Sequence, residues 1–385
     1  MNAPFDATQL DSLKFGIGQP VPRNEDPTLL KGEGRYTDDV NLPNQAYCVM
    51  VRSQVAHGIV KGIDATDAKA MPGVLGVWTG ADLNAAGYGL LKTLIPGPNR
   101  DGTPMKTPAR HSLATDKVRF EGDPVAFVVA DTLAQAKDAA EAIAVQWEPL
   151  PHVVGAVAAL KKGAVQVWKD RPGNVAFTVD LGDKAATGKA FAPAANVVEV
   201  TVVNQRLVTN YMDTRGCIAE YDAAADRLTL TMGSQGSNYM RDTLCEMLQL
   251  PPEKIRVITP DVGGGFGTKL FIYREYALLA VAAKKLKRPV RWIADRSEHF
   301  LGDAHGRDNI TTAKLALDDK GKFLALDVDI VADMGSYLSA YAPYIPFLGA
   351  GMTPGLYDIP ACYVRVRGVY THTVPVDAYR GAGRP

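Results

Sequence analysis

A strand–helix–strand pattern between residues 124 and 147 constrains the fold more than any other feature of the chain. Residues 124–130 read PVAFVVA, an unbroken apolar run that is typical of a strand. Thr132 and Gln135 have the spacing of a capping box, and residues 133–143 form an alanine-rich helix with its apolar positions on one face. Residues 145–147 then form a second strand. The pattern predicts a unit whose two strands lie in one parallel or mixed sheet.

The rest of the chain divides into an arm, two folded parts and a linker. Residues 1–22 are polar and rich in Gly and Pro, which indicates an N-terminal arm, and residues 23–150 have a mixed α/β pattern. Weak patterning predicts a linker over residues 151–175. In residues 176–385 strands dominate, interrupted by helices near residues 239–250 and 275–286. The predicted fold class is therefore α+β, with further strands over residues 46–51, 74–79, 197–203, 217–221, 228–232, 255–258, 290–293 and 323–331.

Charge and composition exclude several classes of function. The chain has 385 residues, with 42 Lys and Arg against 42 Asp and Glu. It therefore lacks the excess of basic residues that favours binding to nucleic acid or to an anionic membrane. No apolar stretch approaches the roughly 20 residues of a membrane span. The N-terminus shows no secretory signal and no Arg-Arg pair, so we expect a cytoplasmic protein with no membrane span and no nucleic-acid partner.

The cysteines and histidines give no sign of a metal held by protein ligands. The four cysteines form no Cys-x-x-Cys pair and the six histidines no His-x-x-x-His pair. No metal-ligating residue is therefore predicted. A metal held by an organic cofactor would leave no such trace in the sequence.

Three segments have the composition of a ligand site. Glycines surround Phe266 in residues 261–269, DVGGGFGTK, where backbone N–H groups can approach an anionic ligand closely. Gln235 closes a strand in MGSQG and can offer its amide N–H to an electronegative atom. Arg380 lies among glycines in residues 377–385, DAYRGAGRP, a context that suits presentation of a guanidinium to an anion or a carbonyl. Taken singly, the glycine-rich segment is equally well explained as a structural turn, while Gln235 is better explained as a turn or cap residue and Arg380 as a solvated arginine.

Other polar residues have simpler structural interpretations. Asp213 and Arg215 are predicted to form a local ion pair. His299 and His305 are predicted to be loop histidines with satisfied ring nitrogens. Asp123 belongs to a turn before the apolar strand and is predicted to be solvated. No arrangement of Ser, Cys and His indicates a covalent nucleophile.

The order of the three segments resembles a known family. Gln235, then residues 263–267, GGGFG, and then residues 378–385, AYRGAGRP, are similar to the molybdopterin-binding large subunit of xanthine dehydrogenase, aldehyde oxidoreductase and aerobic carbon monoxide dehydrogenase. Residues 32–39, 120–126 and 147–151 resemble that family's α/β hammerhead domain, and residues 211–216 resemble another of its motifs. The resemblance implies an α/β hammerhead domain over residues 23–150, followed over residues 176–385 by the first part of a molybdopterin-binding α+β domain.

The resemblance also implies a cofactor and roles for individual residues. The cofactor would be molybdenum-molybdopterin, with the cytosine dinucleotide as one form, and its own sulfur atoms would hold the metal. Gln235 would hydrogen-bond the apical oxo ligand of molybdenum. Arg380 would face the substrate and stabilise developing negative charge. The remaining cofactor contacts would come from the backbone of Gly264, Gly265, Phe266 and Gly267.

The implied reaction is oxidative hydroxylation of an aldehyde or an N-heterocycle, with water as the oxygen source. Electrons would pass to an Fe-S small subunit and an FAD medium subunit. Gly381 stands where carbon monoxide dehydrogenases have a copper-binding Cys, so carbon monoxide is disfavoured as a substrate. Ala382 and Leu270 stand where xanthine oxidases have a Phe and a Glu, so a purine is disfavoured as well.

The family's large subunit is about twice as long as this chain, and the resemblance places its Glu general base in the part beyond it. We therefore expect the chain alone to be inactive, as a truncation or as one half of a split large subunit that needs its remaining half. Two alternatives stay open at this point. One is a catalytically inert interaction module that retains the fold, and the other is a nucleotide-binding protein that uses the glycine-rich loop.

Overall fold

The computed structural model describes residues 22–85, 88, 90–105 and 107–384, so nearly all of the predicted arm lies outside the described residues. Within these ranges fifteen strands form three sheets, and ten α-helices pack against them. The strands are β1 (Ala46–Arg52), β2 (Gly58–Asp64), β3 (Val74–Thr79), β4 (Lys117–Val118), β5 (Pro124–Ala130), β6 (Ala144–Pro149), β7 (Val175–Gly182), β8 (Asn196–Asn204), β9 (Gly216–Asp222), β10 (Arg227–Met232), β11 (Ile255–Ile258), β12 (Val290–Ile293), β13 (Asn309–Leu317), β14 (Phe323–Gly335) and β15 (Ala361–Tyr370). The helices are α1 (Asp26–Leu30), α2 (Thr66–Ala70), α3 (Gly80–Ala85), α4 (Leu133–Glu141), α5 (Ala156–Ala159), α6 (Lys184–Phe191), α7 (Ser237–Leu248), α8 (Arg274–Leu286), α9 (Arg296–Gly302) and α10 (Tyr344–Ala350). The predicted α+β class is confirmed.

The largest sheet is built from both folded parts of the chain. Its strand order is β11-β10-β9-β12-β1-β5-β3, and β1 pairs with β12 in parallel through Ala46 opposite Val290. Helix α8 packs against this sheet and is buried from its first residue to Ala283. The first and second parts of the chain therefore share one sheet and one hydrophobic core. The division into domains at residue 150 stays a prediction.

The strand–helix–strand unit has the predicted elements but a different sheet arrangement. Thr132 and Gln135 form both bonds of the capping box at the start of α4, as predicted. However, β5 lies between β1 and β3 in the seven-stranded sheet, whereas β6 pairs with β2 in a three-stranded sheet, β4-β2-β6. The prediction of a shared sheet is therefore wrong. Periodicity marks a strand but carries no information about its pairing partner.

The third sheet has the order β7-β15-β14-β13-β8, in which β14 and β15 are parallel and the other pairs are antiparallel. Sequence analysis identified β8 and β14 but missed β7, β13 and β15. Their burial is mixed rather than strictly alternating, and this weakens a period-two signal. β8 ends the sheet as an edge strand.

Candidate functional site

The structure brings the three predicted segments to one place. Gln235 lies between β10 and α7, and its Oε1 accepts a hydrogen bond of 2.8 Å from the backbone N–H of Gly267. The backbone N–H of Arg380 donates to the Phe266 carbonyl at 2.8 Å. A further bond of 2.9 Å joins the Gln235 N–H to the carbonyl of Lys269. Segments that are distant in sequence therefore form a single small site.

Glycine is required in the loop because of both backbone angles and space. Gly264 and Gly267 have φ of +99° and +103°, a region that L side chains rarely adopt. Gly265 needs the space, since a Cβ there would lie 2.5 Å from Oε1 of Gln235. Phe266 itself has φ of +49° and is 46% exposed. The loop thus holds its backbone close to the Gln235 amide while its phenyl ring faces outward.

The loop and Gln235 present a set of hydrogen-bond donors. Within the part of the chain that the structure describes, the backbone N–H groups of Gly264, Gly265 and Phe266 donate to no acceptor. Because Oε1 of Gln235 accepts from Gly267, its Nε2 is the remaining polar atom, and it too donates to no described residue. Adjacent backbone donors in a tight bend form a concave site for anionic or electronegative groups. The donor set therefore fits a ligand with electronegative atoms.

A buried arginine that sequence analysis missed holds the Arg380 segment in place. The Arg307 guanidinium donates to the carbonyl oxygens of Tyr379, at 2.8 Å, and Arg380, at 2.5 Å. The Arg380 side chain is exposed, and its Cζ lies 5.8 Å from the centre of the Phe266 ring. The backbone of this segment is thus fixed, while the Arg380 guanidinium remains at the surface beside the glycine-rich loop.

A buried ion pair supports the glycine-rich loop from below. The Lys269 side chain is completely buried, and its Nζ lies 2.8 Å from Oδ2 of Asp213. The same carboxylate oxygen accepts from the Gly263 N–H at 3.2 Å, and the Asp213 N–H donates to the Gly263 carbonyl at 3.2 Å. Burial lowers the pKa of Lys269, and the bond with Asp213 opposes that shift. The predicted local pairing of Asp213 with Arg215 is therefore wrong, because Asp213 pairs with Lys269.

Arg215 lies in a second buried network next to this pair. Its Nε is 2.6 Å from Asp303 Oδ1 and its Nη1 is 3.2 Å from Glu275 Oε2. Burial would raise the pKa of both carboxyls, but Arg215 holds each below its usual range. The Tyr211 hydroxyl also donates to Asp303. Because the Tyr211 ring lies 4.5 Å from Lys269 Nζ, the two networks are in contact.

The network extends to the first folded part of the chain. Arg52 on β1 pairs with Glu275 and with Glu298, each at 2.7 Å. Nearby, Asp123 is fully buried and pairs with Arg274 at the start of α8. The prediction that Asp123 is solvated is wrong, because α8 packs its first turn over the turn that precedes β5. These pairs connect the two parts of the chain beneath the candidate site.

The rings of His299 and His305 have hydrogen-bond partners, as predicted, but His299 lies in helix α9 and not in a loop. His299 Nδ1 lies 2.7 Å from Asp303 Oδ2, and its Nε2 lies 2.8 Å from the Thr209 carbonyl. His305 Nε2 lies 3.1 Å from the Phe300 carbonyl.

Sequence analysis missed Lys269 and Arg307 as supports of the site. A signal for Lys269 existed, since a single lysine stands between the glycine-rich loop and the apolar residues 270–272. A charged residue in such a place is expected to be paired when the segment is buried. For Arg307 the local sequence offered no comparable signal.

Comparison with known proteins identifies the family. A model of the molybdopterin cofactor-binding domain matches residues 167–385. A model of the a/b hammerhead domain of aldehyde oxidase and xanthine dehydrogenase matches residues 31–151. This chain belongs to the xanthine dehydrogenase and aldehyde oxidase family. The resemblance inferred from the order of the motifs is thereby confirmed.

Similar members of this molybdopterin-binding family are large subunits of oxidoreductases. The nicotine 6-hydroxylase large subunit of Paenarthrobacter nicotinovorans is 34% identical, over 95% of this chain and 44% of that protein. The carbon monoxide dehydrogenase large chain of Hydrogenophaga pseudoflava is 35% identical, over 99% of this chain and 48% of that protein. The crystal structure of quinoline 2-oxidoreductase from Pseudomonas putida 86 aligns with a TM-score of 0.87 and 36% identity, over 94% of this chain and 45% of that one. The chain therefore spans about half the length of these relatives.

Within the described ranges, no helix of this family member has the length and apolar character needed to cross a membrane.

Proposed function

We propose that this chain binds the molybdenum end of a molybdopterin cofactor and forms one wall of the substrate site in a molybdenum hydroxylase. The observation that carries the proposal is the contact between Gln235 and Gly267. It fixes the Gln235 carboxamide so that Nε2 is left to donate, next to the donating N–H groups of the glycine-rich loop. Membership of a molybdopterin-binding family supports this interpretation of the donor set.

The residues present fit the cofactor. Gln235 Nε2 would donate to an oxygen ligand of the metal, and the backbone N–H groups of Gly264, Gly265 and Phe266 would contact the metal-end ligands or the pterin. The Gly267 N–H would keep the Gln235 carboxamide in position. The Lys269–Asp213 pair would keep these donors in place without touching the cofactor. When bound, molybdenum-molybdopterin supplies two-electron oxidation of a substrate carbon, with water as the oxygen source. We include the cytosine dinucleotide as one form of this cofactor.

Arg380 would act on the substrate electrostatically. When an oxygen nucleophile adds to an electron-poor carbon, negative charge develops on the neighbouring nitrogen or oxygen of the substrate. A guanidinium placed in advance stabilises that charge more in the transition state than in the ground state. Arg307 fixes the backbone carbonyl of Arg380, which limits how far the guanidinium can move from the loop.

We propose an N-heterocycle as the substrate, with an aldehyde as the alternative. The relatives include a nicotine 6-hydroxylase and a quinoline 2-oxidoreductase, both named for nitrogen heterocycles. Gly381, in place of the copper-binding Cys, counts against carbon monoxide even though the relatives include carbon monoxide dehydrogenases. Ala382 and Leu270 count against a purine.

The catalytic unit that we propose is larger than this chain. The general base and the other pterin contacts would lie in the remaining half of the large subunit, since the relatives are about twice as long. Electrons would leave through an Fe-S small subunit and an FAD medium subunit. We place the complex in the cytoplasm and expect no hydroxylation by the 385-residue chain alone.

The test compares holoenzymes that carry wild-type chain, Gln235→Leu or the control Gln54→Leu, which alters an exposed glutamine away from the site. Molybdenum content and hydroxylation of quinoline in ¹⁸O-labelled water are measured. We expect molybdenum and ¹⁸O-labelled product with wild type and the control, and turnover reduced by about 10²–10³ in Gln235→Leu, as for loss of one preorganised donor.

A wild-type complex without molybdenum would refute the proposal and favour the inert module. Binding of ATP or NAD in a thermal-shift assay, abolished by Gly265→Ala, would instead favour a nucleotide-binding loop.

A further inference from the structure

Strand β8 exposes a row of apolar side chains on one face. Val198, Val200 and Val202 alternate along the strand and are 57%, 53% and 53% exposed. Successive residues of a strand point to opposite faces, so these three lie side by side. β8 is also the end of its sheet, with β13 as its one partner among the described strands, so its other backbone edge has no strand beside it. Exposed apolar edge strands of this kind are sites of association.

The valine row continues the apolar face of the sheet. In the register of the strands, Val200 lies opposite Ala313 on β13, and Ala313 lies opposite Val328 on β14. Val328 is 1% exposed and belongs to a hydrophobic core cluster that includes Ala350 of α10. The same face is therefore covered over β14 but left open over β8. The apolar face of this sheet therefore has a packing layer over β14 and none over β8 among the described residues.

The opposite face of β8 suits contact with water. Glu199 forms an exposed ion pair with Lys314 at 3.0 Å, and the hydroxyls of Thr201 and Thr312 are 3.0 Å apart. Polar cross-strand pairs of this kind are ordinary for a solvated sheet surface. Val197 and Val203 also lie on this face, but Glu199 and Thr201 separate them, whereas Val198, Val200 and Val202 are consecutive on the other face. The valine row is therefore the more continuous apolar surface.

A cleft runs from the valine row to the end of the glycine-rich segment that carries Arg380. It has a volume of about 360 Å³, and its floor includes Val202, Thr311 and Ile330. Its other wall includes Met352 and Gly383, and Gly383 belongs to the same glycine-rich segment as Arg380. A segment seated in this cleft would touch the substrate-side segment directly.

We propose that the β8 surface, defined as Val198, Val200, Val202 and the edge of residues 197–203 that faces away from β13, binds the remaining half of the large subunit. The remaining half would pair one of its strands with the edge of β8 and would pack apolar side chains against the valine row. It would also extend into the cleft. The relatives carry about as much sequence again as this chain matches, which is enough to supply such a layer. The inference rests on the proposed function, because it identifies the partner that completes the same site.

The test co-produces the 385-residue chain with the remaining half of the large subunit and the partner subunits, and isolates the assembly through a tag on the chain. V200E/V202E places charge in the valine row. The matched control V197E/V203E places the same charge on the opposite face, at valines that are 53% and 66% exposed. All four side chains are more than half exposed, so we expect the urea midpoint of both variants to equal that of wild type. Hydrogen exchange of residues 196–204 is measured in the free chain and in the assembly.

We expect V200E/V202E to lower the recovered remaining half by roughly thirtyfold or more, as for loss of an interface hot spot, and the control to stay within about threefold. The β8 amides that face away from β13 should become protected only in the assembly. Unchanged exchange on assembly, or equal recovery with both variants, would overturn the inference. A free chain that is a dimer with protected β8 amides, made monomeric by V200E/V202E, would assign the surface to a second copy and would also overturn it. If assembly depends on β8 while the wild-type assembly lacks molybdenum, the proposed function fails and this inference stands.

Discussion

Replacement of Lys269 by Met tests whether the buried ion pair stabilises the glycine-rich loop. The change removes the ammonium group that lies 2.8 Å from Asp213 Oδ2 and leaves that carboxylate 10% exposed without its cation. Loss of one partner of a buried pair costs about 3–5 kcal/mol. Asp213 retains its hydrogen bond from the Gly263 N–H, so we expect a value near the lower end, about 3 kcal/mol.

The free energy of unfolding is measured by urea denaturation of the chain at pH 7.5. Lys284→Met is the matched control, because Lys284 forms an exposed pair with Asp226, and we expect no measurable change. The double variant Asp213→Asn/Lys269→Met should be more stable than Lys269→Met, since it leaves no unpaired charge in the interior. In the assembled enzyme, Lys269→Met should also lower molybdenum content, because the loop donors lose their support.

A loss of less than about 1 kcal/mol in Lys269→Met would refute this reasoning, since it would show that Asp213 is solvated well enough without its partner. A double variant less stable than Lys269→Met would refute it in another way, because the penalty would then come from lost packing rather than from the unpaired carboxylate.

Three further predictions concern the site and its pH dependence. Gly265→Ala places a Cβ 2.5 Å from Gln235 Oε1 and should lower the molybdenum content of the assembled enzyme, whereas Gly188→Ala, in open space, should not; equal content in both would contradict the close approach. Arg380→Met should lower kcat/KM by about 10²–10³ while the urea midpoint stays unchanged, because the side chain is exposed; a shifted midpoint would indicate a structural role. Burial lowers the pKa of His372 to about 3, so below pH 6.5 the unfolded chain binds a proton that the native chain does not. The free energy of unfolding should therefore fall by about 2 kcal/mol between pH 7.5 and 5.0 because of this group. Over the same pH range, the free energy of unfolding of His372→Gln should fall by about 2 kcal/mol less than that of wild type. Parallel pH profiles of the two proteins would refute the assignment.

Much of the local structure could be predicted because its causes lie within a few residues. The apolar run of β5 and the capping box of α4 were both found, since periodicity and side-chain caps act over one or two turns of chain. The candidate site was found through the order of its three motifs. Sequence analysis could also place Gln235 at a strand end, where its amide has room to bond a loop.

The charged groups beneath the site could not be predicted in the same way. Asp213 stands two residues from Arg215 in the sequence, yet its partner is Lys269, while Arg215 pairs with Asp303 and Glu275. A buried charge takes the partner that the packed elements bring to it, whatever its sequence neighbours are. The choice therefore depends on how α8 and the loops meet.

The amino-acid sequence by itself determined many of the local elements, the glycine-rich bend and the family to which the chain belongs. The tertiary structure alone decided that β5 and β6 lie in different sheets, that Asp123 is buried against α8, and that the valines of β8 remain uncovered. The physical reason is that hydrogen-bonding patterns and hydrophobic periodicity act along the chain. Strand pairing, burial and ion-pair choice depend on contacts between segments that are distant in sequence, and those contacts exist only once the whole chain has packed.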